Sequence, residues 1–77
     1  MSDRNMKTAA AHLADAAMHV VHVTEHVKKA RDTDPDPEVA DEIYTAILNN
    51  LKVMALHMTA RVYAGMPEIE RMEKGKP

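Results

Sequence analysis

Three histidines, His12, His19 and His26, recur at seven-residue intervals, with Asp15 and His22 between them. Wound into an α-helix of about 3.6 residues per turn, Asp15, His19, His22 and His26 share one face at i, i+4, i+7 and i+11. Imidazoles one turn apart can converge on a single ion. The row is therefore a candidate site for zinc, copper or nickel, with a carboxylate from Asp15 or Glu25. Geometry limits it, because seven helical residues rise about 10.5 Å. One ion would take an adjacent pair and need further ligands from another helix. The spacing matches no HExxH motif, and the ExxH pairing of di-iron bundles is absent. The blander reading, which the spacing favours, makes these histidines rim residues that hydrogen-bond across an oligomer interface or face water.

Two further groups of residues are candidates for binding. Asn50, His57 and Arg61 fall on one side of a second amphipathic segment and could hold a small anionic ligand between protomers. Leu56 and Tyr63 fall on the side away from the apolar stripe and could anchor a protein contact.

The segments that must position these groups are delimited by DTDPDP, residues 32–37. A residue before proline is pushed out of the helical region, so Asp36 is expected to cap a helix whose first residue is Pro37. Glu38, Asp41 and Glu42 then lie near the positive end of that helix, and Lys28, Lys29 and Arg31 near the negative end of the preceding one. Residues 3–31 contain neither Gly nor Pro, and Ser2 or Asp3 can cap them. The expected organisation is a single domain: helix 1 over about 3–31, a loop at 32–36, helix 2 over about 37–64, and a tail at 65–77 begun by Gly65 and Pro67. So short a connection predicts antiparallel neighbours, an all-α helical hairpin. A loop centred near residue 34 predicts facing residues whose numbers sum to roughly 69, which sets His12 level with His57.

On helix 1 the apolar seam is expected to be Met6, Ala9, Leu13, Ala16, Val20, Val23, Val27 and Ala30. On helix 2 it is Ala40, Ile43, Tyr44, Ile47, Leu51, Met54, Met58 and Val62. Leu48 and Ala55 widen that second stripe on one side, and Val39, Ala46, Val53, Ala60 and Ala64 on the other. One partner helix does not cover such an arc. The expectation is a homo-oligomer, a dimer closing as a four-helix bundle or a larger assembly. Size points the same way, since a core built from 77 residues supplies only a few kcal/mol and chains this small lean on disulfides, metals or association. With no cysteine, disulfides are excluded, and a reducing cytoplasm fits.

Composition excludes several function classes. There is no cysteine nucleophile, no Gly-rich phosphate loop and no Ser-His-Asp arrangement, as the only serine is Ser2. The chain is read as not an enzyme and as needing no cofactor beyond the zinc, copper or nickel of the histidine row. Ten basic residues against twelve acidic ones, dispersed and with no Phe or Trp beside them, argue against nucleic acid as a partner. No apolar run reaches the roughly 20 residues of a membrane span, and MSDRNMK lacks a signal-type apolar segment. The resulting expectation is a cytoplasmic, self-associating helical protein acting as an adaptor or inhibitor of another macromolecule, of a size often encoded by phages and mobile elements.

Overall fold

The computed structural model describes residues 4–75, and among them only helices, turns and bends occur. Helix α1 runs from Met6 to Thr33 and helix α2 from Pro37 to Lys74, packed against each other as a hairpin. It is a thin object, 60 × 20 × 16 Å, with a radius of gyration of 17.7 Å. A compact domain of this length would have a radius of about 11–12 Å.

Local chemistry sets both helix starts. The Asn5 carboxamide accepts from the Thr8 backbone N–H at 2.7 Å and caps α1. Ser2 and Asp3, the caps expected from sequence, lie outside the described residues. At α2 the expectation holds: the Asp36 carboxylate accepts from the Val39 N–H, and Pro37 occupies the first turn. The connection is only residues 34–36, and Asp34 organises it. Its carboxylate accepts from the Asp36 N–H at 3.0 Å and from the Tyr44 hydroxyl at 2.9 Å.

These two bonds hold the Asp34 carboxyl below its ordinary value, the Asp36 N–H contributing most, and the same carboxylate pushes the Tyr44 phenol up. A depressed acid stabilises above its unfolded value and loses that contribution as pH falls through its folded one. A raised phenol stabilises below its unfolded value and loses that contribution as pH rises through its folded one. The clasp is thus intact across neutral pH and weakens at both extremes. Replacing Tyr44 with phenylalanine is expected to lower the thermal midpoint and move the Asp34 titration, followed by carboxyl NMR, up toward the ordinary range. An unmoved Asp34 titration would show that the hydroxyl contributes nothing.

Two expectations from sequence are corrected. Helix 2 does not end at residue 64 with a tail from 65; α2 continues through Gly65 and Pro67 to Lys74, where Gly75 caps it by donating to the Arg71 carbonyl at 2.9 Å. Gly65 is a packing residue, because a Cβ there would overlap the Met6 Cγ and Sδ. Met6 and Gly65 are both buried, and this close crossing carries α2 past a point where glycine and proline would otherwise terminate it. Beyond it Ile69 is half-buried, and Glu73 meets Lys7 at 3.6 Å in an exposed ion pair worth little by itself. The Met6–Gly65 crossing also moves the register, so that facing numbers sum to about 71 rather than 69.

The second correction concerns the seam. On α1 the least exposed line is Met6, Ala10, Leu13, Ala17, Val20, Thr24 and Val27; on α2 it is Ala40, Tyr44, Leu48, Leu51, Ala55, Met58, Val62 and Gly65. Ala9 and Val23 of the expected helix 1 seam are exposed, as are Ile43, Ile47 and Met54 of the expected helix 2 seam. Two helices in contact use one strip each, whereas the apolar arcs here are wider than one strip. The hairpin buries one edge of each arc and leaves the other outside.

Candidate functional site

Among the described residues the buried side chains are few, Met6 at 4% exposure and Ala40 at 3%, and Gly65 is buried against Met6. A dozen large apolar side chains are exposed, including Leu56 and Tyr63 at 59% and 69%. The accessible surface is 6332 Å², against about 4,700 Å² for a compact monomer of this mass. The excess, roughly 1,600 Å², is of the order that one subunit hides in a homodimer. The dominant physical feature of the hairpin is therefore its unpartnered surface.

That surface divides into two faces. Ala9, His12, Arg61 and Glu68 line one groove, of about 430 Å³, with Arg4, Asn5 and Thr8 at its α1 end. A second groove, of about 370 Å³, lies on the other side between Leu13, Ala17, Met58, Val62, Tyr63 and Met66. These linings fix which helix lines emerge together. Extended by helical repeat, the first face joins Ala9, Ala16, Val23 and Ala30 of α1 to Ile43, Ile47 and Met54 of α2. The second face joins Ala14, Met18 and Val21 to Leu56, Tyr63 and Met66. All of these except the half-buried Ala16 and Ala30 are exposed.

The candidate residues can now be placed. Asp15, His19, His22 and His26 are all exposed, and His12, His19 and His26 run along the α1 rim of the first face, with His22 and Asp15 turned further toward solvent. Among the described residues, no group of three or more His, Asp or Glu side chains is placed to hold a metal ion. The axial spacing calls for further ligands from another helix, and α2 brings none within reach of this row among the described residues. Asn50, His57 and Arg61 form the α2 rim of the same face and are exposed. The register change brings His12 into one groove with Arg61 and Glu68, rather than level with His57. Leu56 and Tyr63 lie on the opposite face, where Tyr63 walls the second groove. That the second helix offers Asn50, His57 and Arg61 beside the α1 histidines is the expectation from sequence; the register between the two rows is what differs.

Charge distinguishes the faces. Along the first face, from Ala9 to Thr33 on α1 and from Ala40 to Ala60 on α2, the lines named above and their rims hold no Lys, Arg, Asp or Glu; their polar members are the histidines, Asn50 and Thr33. Charge on the α2 side begins only at Arg61 and Glu68. The second face is flanked throughout by ions, with Lys7, Glu25 and Lys28 on α1 and Glu42, Lys52 and Glu70 on α2. Glu25 and Lys28 approach to 3.8 Å there. Among the described residues, no helix is long and apolar enough to cross a membrane. No protein-family model, curated protein or solved structure matches the chain.

Proposed function

We propose that this chain is a self-associating helical hairpin that works by binding another macromolecule, as an adaptor or inhibitor, and performs no chemistry of its own. One observation carries the reading: among the described residues most of the large apolar side chains are exposed, and the buried apolar ones are Met6 and Ala40 alone. Two helices with so little interior between them hold a marginal fold, and apolar surface left in water on this scale marks an interaction site. Association into a dimeric four-helix bundle supplies the missing core. The grooves are shallow and between helices, which suits helix or loop docking better than enclosing a reacting substrate.

Leu56 and Tyr63 are the residues assigned to the partner. Tyr63 is a large, rigid side chain at the edge of an apolar groove, the type of anchor that dominates protein contacts. Affinity capture with the full chain, repeated with Leu56→Ala and Tyr63→Ala, tests this. Each variant is expected to weaken capture of the same partner at least about tenfold, while the mass of the purified chain in sedimentation stays that of the wild type. Capture undiminished by either substitution would contradict the assignment.

A further inference from the structure

We infer that a second copy of this chain packs on the face carrying Ala9, Ala16, Val23, Ile43, Ile47 and Met54, leaving the Leu56 and Tyr63 face free; this rests on the self-association proposed above and names its surface.

The heptad geometry points there first. On α1 the line Met6, Leu13, Val20 and Val27 is least exposed, and on α2 so is Tyr44, Leu51, Met58 and Gly65. Within the hairpin each of these lines is accompanied by the one four residues on, as in Ala10 and Ala17 or Leu48 and Ala55, which turns toward the sibling helix. The line three residues on is turned further out: on α1 Ala9 and Val23 are exposed and Ala16 and Ala30 half-buried, and on α2 Ile47 and Met54 are exposed. Both outer lines emerge on the same side of the hairpin, as the shared groove of Ala9 and Arg61 shows. A helix in a four-helix bundle has two neighbours, and its apolar maximum points between them rather than at either. That is the direction in which these two stripes point. The hairpin is built as half of a bundle.

Charge and area agree. Interfaces that form stably are depleted of ions at their centre and carry them at the rim. The first face has no Lys, Arg, Asp or Glu between Ala9 and Thr33 or between Ala40 and Ala60, and its ions, Arg4, Arg61 and Glu68, lie toward its open end. On the second face ions line both helices, so a whole second hairpin laid there would bury Lys28 and Lys52 or splay away from them. The surplus of roughly 1,600 Å² over a compact monomer is also of homodimer size, more than the contact with a single docked helix would remove.

Sedimentation of the full chain tests the assignment, with helix content followed by circular dichroism. Wild-type protein is expected at twice 8.6 kDa. Ile47→Glu and Met54→Glu are expected to raise the dissociation constant at least about a hundredfold, since the two-fold places each change twice in one interface. Met54→Gln, which keeps length and helix propensity, raises it about tenfold and serves where the charged variants unfold on dissociation. Leu56→Glu and Tyr63→Glu are expected to keep the wild-type mass. Dimers that survive Ile47→Glu and Met54→Glu but fall apart with Leu56→Glu or Tyr63→Glu would overturn the choice of face while leaving self-association standing. A monomeric wild type would overturn self-association itself.

Discussion

Pro67→Ala is expected to stabilise the protein by as much as about 3 kcal/mol, the penalty of a proline within a helix. The residue sits inside α2, where it has no N–H to give the Tyr63 carbonyl and its ring crowds that carbonyl. Alanine restores the bond at a solvent-facing position, since Pro67 is exposed, and so removes nothing the hairpin uses. The gain appears in full only if residues 65–74 unfold together with the rest. Urea unfolding at one fixed protein concentration measures it, because an associating chain has a concentration-dependent midpoint. A change below about 0.5 kcal/mol would mean that the last three turns of α2 melt independently of the rest.

Gly65→Leu is expected to act in the other direction, by about 1–3 kcal/mol of overpacking. Glycine in a helix interior ordinarily costs about 1 kcal/mol against alanine, so a larger residue would help if the site were open. It is not open: the Met6 side chain lies where a Cβ would be. Leucine must expel Met6, the most deeply buried of the large side chains, from the crossing. Combining the substitution with Met6→Ala is expected to recover part of the loss, because the single changes act on one contact. A neutral or stabilising Gly65→Leu would show that Met6 is not seated there.

Both residues mark where sequence reading failed and why. The start of α2 was legible because capping is local: Asp36 and Pro37 need only their own neighbours to set the helix. Its end was not, because glycine and proline are stop signals only on average. Here Gly65 is required by a side chain 59 positions earlier, which no local pattern records. The apolar stripes were read correctly as too wide for one neighbour. Which edge of each faces the sibling helix depends on rotation about the helix axis, and on α1 hydropathy points the wrong way: Val23, on the more apolar edge, is exposed, while Thr24, on the other, is half-buried. The histidine row was placed on its helix face from spacing alone. Its surroundings were not legible, because whatever faces His19 and His26 belongs to no part of the same chain that packs against them: both are exposed.

The same reasoning separates stability from recognition in this molecule. The exposed pairs Lys28–Glu25 and Arg31–Asp32 lie at 3.8 and 3.3 Å and add little to either. What holds the hairpin is the close approach of small and apolar residues along α1 and α2, and what the hairpin offers is the rest of those stripes. Placing self-association on the face whose central stretch lacks ions leaves the ion-flanked face, with Tyr63 and Leu56, for a different partner. Charged rims of that kind favour partners that dock and leave, since they add selectivity and speed of encounter more than affinity.

The most direct test is the mass of the intact chain in sedimentation equilibrium at neutral pH and micromolar concentration. Twice 8.6 kDa, or a higher multiple, is the predicted result. A single species of 8.6 kDa that retains its helices would contradict the account, because two helices with so little buried between them would then be stable with their apolar faces in water.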